Sequence, residues 1–302
     1  MSAPLRVIRS ITMTDAMLAG TSVPENDHAA WNSGTTYAMG DRVILTSTHK
    51  IYESLQAGNL NKPPATEPLW WVEVSPTNRW KMFDLSTTTQ TVVGAADYYE
   101  ITPGQAVNAM ALYNISGILT IRVRLTDPVF GVVYDKTTDV TPLPSESSWY
   151  AWFFDERVEQ NQFVAEDLPS YPTATLRVDV TSSGTAYIGV LVFGSIRSIG
   201  LGVQQGVRLG IQDYSRKERN EWGDTVLVQR AFSSRVSFQM LIDNRELDNT
   251  FRLLADLRAT PCLWLGSDSY SSLAVFGFYN NFDINIAYAT YSDCTIDVEG
   301  LT

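Results

Sequence analysis

The sequence predicts a mainly β protein: a small β module, a β-sandwich of jelly-roll type, and a C-terminal β domain with one α-helix. Three observations predict it. Apolar and polar residues alternate with period two, as at Leu119, Ile121, Val123 and Leu125 and again at Leu176, Val178 and Val180, the pattern of strands with one buried face. Proline-bearing punctuation separates such runs, at Asp127 and Pro128, Pro142 and Pro144, and Pro169 and Pro172. Helical spacing is confined to one stretch near the C-terminus.

Residues 1–27 have little periodicity and read as an arm, expected to be held down by a partner subunit because free chain ends are seldom ordered. Residues 28–80 form the small module. Thr35, Thr36 and Tyr37, then Arg42, Val43, Ile44 and Leu45, are rich in β-branched and aromatic residues, with a turn between them at 38–41. A unit this short builds only a shallow core. Trp31, Tyr37, Tyr52 and one of Trp70 and Trp71 are therefore expected to fill it. Adjacent residues on an extended segment point to opposite faces, so burying one tryptophan of that pair exposes the other.

Residues 81–199 read as strands only and form the sandwich. The run 187–193 is apolar throughout, as in a central strand buried on both faces. The glycines at 200, 202 and 206 read as a flexible joint to the last domain, residues 200–302. There Val236, Phe238, Met240 and Ile242 alternate as a strand, and a helix is expected near 244–258. Asp243 and Glu246 have capping-box spacing, and Leu247, Phe251, Leu254 and Leu257 share one face. Asp248 with Arg252, and Arg252 with Asp256, add i,i+4 pairs before Pro261 stops the helix. Strands resume at 262–265, 273–276, 284–286 and 294–298.

The composition excludes several classes. With 22 basic against 33 acidic residues and a formal charge of −11, the chain is poorly suited to gripping nucleic-acid phosphates. No apolar run approaches the roughly 18 residues of a spanning helix, so no membrane insertion is expected. The first residues lack the apolar stretch of a secretory signal, which predicts synthesis in the cytoplasm and departure only within an assembly. Two cysteines, Cys262 and Cys294, make no disulfide framework; they read as free buried thiols or as neighbours on paired strands.

Catalytic patterns are sparse. His28 and His49 are the only histidines, and neither a zinc-protease helix motif, a nucleophile elbow nor a phosphate loop occurs. His49 is expected at a solvated loop tip, His28 beside Asp27 is a weak metal prospect, and neither metal nor cofactor is expected. Asp155, Glu156, Glu166 and Asp167 surround aromatic residues at 149, 150 and 152–154, and two carboxylates astride a sugar bond would make a glycosidase. Nothing in the spacing makes them face each other, so no catalytic residue is assigned. Arg216, Lys217 and Arg219 read as a solvated loop able to meet an acidic patch on a symmetry mate.

Two resemblances follow from particular residues. Trp31, Tyr37, Gly40, Asp41 and Val43, in the pattern W-x5-Y-x2-G-D-x-V, then Tyr52, Gly58, Asn59, Pro63, Pro64, Trp70 and Trp71, resemble the chitinase-type carbohydrate-binding modules of families 5 and 12. That resemblance implies a sugar site drawn from Trp31, Asp41, Tyr52, Asn59, Trp70 and Trp71. An exposed tryptophan would stack on a pyranose, with Asn59 and Asp41 bonding hydroxyls. Across nearly the whole chain, the 11–18 segment, that module, the 77–84 segment, 213–217 with Trp222 and Gly223, and 260–266 resemble a family of tail-region virion structural proteins of tailed bacteriophages. The resemblance implies a tail or tail-tip subunit of the virion, a symmetric homo-oligomer contacting other tail proteins and host-surface polysaccharide. The alternative is a glycan-active, glycoside hydrolase-like enzyme with an appended binding module.

Overall fold

Two long alternating stretches build the frame. In the computed structural model, which describes residues 3–141, 149–154, 159–219, 222–267 and 270–301, Ala109–Asp127 and Thr175–Ile199 are antiparallel strands of 19 and 25 residues. They pair from Ala109↔Gly194 to Thr126↔Thr175. The register shifts twice between Ser116 and Thr120, beside Gly117 at φ +72, where a Cβ would meet the Thr185 carbonyl oxygen at 3.0 Å. Such bulges bend strands this long. Ala96–Ile101 and Thr91–Val93 flank one side, and Gly131–Asp139 and Gln162–Ala165 the other.

The protein is mainly β, and this middle region is sandwich-like. Its layers are carried by two long strands where the punctuated sequence implied many short ones. Leu176, Val178 and Val180 are buried with Ile121, Val123 and Leu125 in one core. Further along the same strand, Ile188, Leu191 and Phe193 face that core while Val190 and Val192 face another with Ile8, Leu263 and Phe276. The doubly buried central segment expected at 187–193 is thus present, except that Tyr187 is exposed. A short helix, Trp149–Phe154, interrupts a region expected to hold strands only.

The segment expected to be an arm is built into the body of the protein from residue 5 onward. Leu5–Ser10 is a strand paired on both edges within its own chain, from Leu5↔Ile199 to Ser10↔Gly194 and from Arg6↔Leu265 to Arg9↔Cys262. It joins the middle and C-terminal regions into one 14-stranded network. Leu5 and Val7 enter the C-terminal core and Ile8 the central one. Gly200 and Leu201 form a tight turn after Thr175–Ile199, fixed by a bond from Leu201 N to Leu241 O at 2.7 Å, where a flexible joint was expected.

In the C-terminal region Phe232–Asp243, Tyr291–Gly300, Ala274–Asn285 and Cys262–Leu265 lie in that order across the sheet. The helix Leu247–Asp256 packs Leu254, and Leu257 just after it, into their core, while Phe251 is exposed and meets Phe282 edge-on at 5.7 Å. The expected capping box does not form. Asp243 instead accepts from Arg245 N at 2.9 Å in a turn, and Glu246 precedes the helix with no side-chain cap. Neither expected i,i+4 ion pair is among the described ones. Cys262 and Cys294 are free and buried.

Candidate functional site

The small module is built as expected from short strands: Arg42–Leu45, Lys50–Ser54 and Trp71–Pro76 in one sheet, Thr36–Tyr37 with Asn59–Leu60 in another. Its core is Tyr37, Val43, Tyr52 and Trp71, with Trp31, Leu45 and Trp70 packed partly against it. Trp71 is only 2% exposed; its ring meets Tyr37 edge-on at 5.2 Å and its indole N–H donates to the Lys62 carbonyl at 2.8 Å. That contact gives the buried N–H a partner, as burial of a tryptophan requires.

Three of the six expected sugar contacts are therefore unavailable at the surface. Trp71 and Tyr52 are core. Asn59 is wholly buried and donates to Ser54 Oγ at 2.9 Å, tying one strand of the module to another. Asp41 is exposed, with Oδ2 accepting from Ala38 N at 2.7 Å to close the turn at 38–41. Trp31 and Trp70 are half-buried.

Trp31 and Trp70 are thus the two expected aromatic contacts left at the surface, and Trp70 has a cation beside it. Lys62 Nζ lies 5.6 Å from its ring centroid, within cation–π range. Leu55 N donates to Trp70 O at 2.9 Å, and the Gln56 side chain bonds Leu69 O at 2.9 Å. Leu55 and Leu69 are both exposed. A half-exposed indole beside an ammonium suits a flat, hydroxyl-rimmed partner. Sequence reasoning missed Lys62, whose residue type carries no sugar-site signal and whose place beside the Trp70 ring appears only in space.

His49 does not sit at a solvated tip. Its ring stacks on Trp80 at 4.2 Å, Nδ1 lies 3.0 Å from Glu25 Oε1, and Nε2 lies 3.3 Å from Asp15 Oδ1. Glu25 also accepts from Thr77 Oγ1 at 2.8 Å and faces Arg79 at 3.6 Å. This knot fastens the module to the body of the protein. Asp27, beside His28, accepts from Asn78 N. Among the described residues no three His, Cys, Asp or Glu side chains gather as a metal site.

Two of the four carboxylates weighed for glycoside chemistry are engaged elsewhere. Glu166 pairs with Arg6, and Asp167 accepts from Tyr134 OH at 2.7 Å and from Lys136 at 3.1 Å. The Tyr134 bond, more than any other contact, holds the Asp167 carboxyl below its usual range. Asp155 and Glu156 lie outside the described residues.

Apolar surface is concentrated in two other places. On the helix Trp149–Phe154, Trp149, Tyr150, Phe153 and Phe154 are strongly exposed. On the hairpin of Arg216–Arg219 and Thr225–Val228, Val226, Leu227 and Val228 are exposed, with Trp222 at 88% between the strands. The basic trio Arg216, Lys217 and Arg219 sits on this hairpin, in a strand where a loop was expected. Comparison with protein-family models, curated proteins and solved structures found no match for this chain.

Proposed function

We propose that this chain is a structural subunit of a tailed-bacteriophage virion, placed in the tail or its tip, working in symmetric copies and meeting host-surface glycan through its small module. The observation that carries the assembly reading is the apolar surface exposed on the Trp149–Phe154 helix and on the paired strands Arg216–Arg219 and Thr225–Val228. Exposed patches of this kind mark surfaces for a neighbour. The phage attribution rests on the motifs that resemble tail-region proteins in order along the chain.

Half-exposed Trp70 supports the glycan contact. A single aromatic platform contributes on the order of 1 kcal/mol beyond buried area, so useful affinity depends on many copies displayed together. The engagement of Glu166 and Asp167 by Arg6, Tyr134 and Lys136 favours binding over hydrolysis.

The test is quantitative mass spectrometry of purified particles, with host adsorption and release of reducing ends from envelope polysaccharide measured on the purified chain. Multiple copies per particle, adsorption weakened by Trp70→Ala, and no released ends are expected. Absence from particles overturns the virion reading, and sugar release abolished by Glu166→Gln or Asp167→Asn would establish the enzyme in its place.

A further inference from the structure

The small module joins the body through two chain crossings that lie side by side. The chain enters past Asp27 and leaves at Thr77, and Asn78 N donates to Asp27 across the pair. Among the described residues, the module's apolar core and the three cores of the body share no side chain. With no shared core to seat it, the module is held by the polar knot around His49.

His49 ends the turn between Arg42–Leu45 and Lys50–Ser54, at φ +55, in the left-handed region where glycine is the unstrained residue. Its carbonyl accepts from Thr77 N at 2.9 Å, which fixes the turn against the segment leaving the module. The imidazole, 18% exposed, stacks on Trp80 and turns one nitrogen to each of two carboxylates. Both supports belong to the body. Glu25 is only 7% exposed, and Trp80 meets Phe83, which packs against the largest core.

Two acceptors at two ring nitrogens select a charge state. A neutral imidazole donates from one nitrogen and presents a lone pair at the other, whereas the imidazolium donates from both. Glu25 Oε1 lies 3.0 Å from Nδ1 and Asp15 Oδ1 lies 3.3 Å from Nε2, so a neutral ring sets its lone pair against a carboxylate oxygen on one side or the other. A charged ring also gains from the indole face it covers, as cations do. The charged groups around it are Asp15, from the turn Asp15–Met17, Glu25, and Arg79, which reaches Glu25 Oε2 at 3.6 Å and opposes the ring's charge. Arg79 is held as well by the Val23 carbonyl, at 2.8 Å. Two carboxylates thus face the ring against one guanidinium.

We propose that His49 is a proton-operated latch: its imidazolium holds the module on the body, and loss of the proton frees the module to turn about the 27–28 and 76–77 crossings, re-aiming the Trp70 face. The latch is closed in the protonated form. It therefore holds on the acid side of histidine's usual range, about pH 5 to about pH 8, and opens as pH rises through it. Asp15 is 80% exposed, so its share of the hold is the part that added salt weakens. The latch requires neither the virion nor the glycan reading.

Double electron–electron resonance on the full chain tests it, with spin labels at Met39→Cys on the module and Val129→Cys on the body, both strongly exposed positions. The native Cys262 and Cys294 are buried and stay unlabelled. The distance distribution is expected to be narrow near about pH 5.5 and at least about twice as broad near about pH 8.5, with the circular dichroism spectrum the same at both. His49→Gln keeps a donor and loses the titration, so it should give the broad distribution at both. Asp15→Asn, at an exposed position, should move the change from narrow to broad to lower pH. Equal widths in the otherwise wild-type chain at both pH values overturn the latch. A pH response that survives in His49→Gln does the same, and so does broadening that comes with loss of the circular dichroism signal, which reports unfolding instead of release.

Discussion

At the scale of single residues, Trp70 and Trp71 show what the sequence could and could not decide. Opposite faces were legible from adjacency alone. Which indole is buried was not, because that turns on the Lys62 carbonyl reaching the Trp71 N–H, a contact across a loop. Trp71→Ala is expected to cost about 3–5 kcal/mol and unfold the module, whereas Trp70→Ala should leave thermal unfolding nearly unchanged and weaken adsorption. Asn59 misled by residue type: an amide suits sugar hydroxyls, yet here it cross-braces two strands through Ser54. Burial pushes the thiols of Cys262 and Cys294 up to about 11 and about 12. The thiolate is the reactive form, so neither is expected to react with a disulfide reagent at pH 8 until the protein is denatured, when both should.

Among the elements, long alternating strands were readable and short interrupted ones were not. Leu5–Ser10 escaped notice because Val7 and Ile8 are both buried, against different cores, so period two breaks within six residues. Its pairing is close: a Cβ on Gly194 would fall 1.9 Å from the Arg9 carbonyl oxygen. Gly194→Ala is therefore expected to destabilise the protein by about 3 kcal/mol, at the upper end of ordinary overpacking, as read from denaturant midpoints. The helix was legible from its 3.6 period, while its start was not, since Asp243 turned to Arg245. Beside the pairing of Arg208–Asp213 with Phe232–Asp243, Glu299 accepts from Asn280 at 2.7 Å and contacts Tyr214 and Arg235, and the Asn280 bond leads in holding its carboxyl below the usual range. A lowered carboxyl stabilises the fold above its unfolded value, about 4.3, and loses that contribution as pH falls through the lower folded value. Hydrogen-exchange protection at 208–213 and 232–237, corrected for intrinsic rate, should fall across that acid window, and Glu299→Gln should flatten the response.

For the whole molecule, the division into arm, module, sandwich and C-terminal domain was only partly legible. The small module stands out because its aromatic spacing is local. The remaining boundaries are crossed by one 14-stranded network whose joining strand pairs with residues far away in sequence, and periodicity carries no information about such partners. Removing residues 3–10 is expected to expose the edges of Thr175–Ile199 and Cys262–Leu265 together and to turn a monodisperse sample into aggregate, as light scattering would show.

That joining strand also sets a schedule. Leu5–Ser10 leaves the ribosome well before its two neighbours, 194–199 and 262–265, which follow it far along the chain. At about 5–20 residues per second the strand waits on the order of ten to fifty seconds for its second partner to be translated. During that interval the nascent chain carries a short apolar segment with nowhere to go, and this sheet closes only after Cys262–Leu265 has been made.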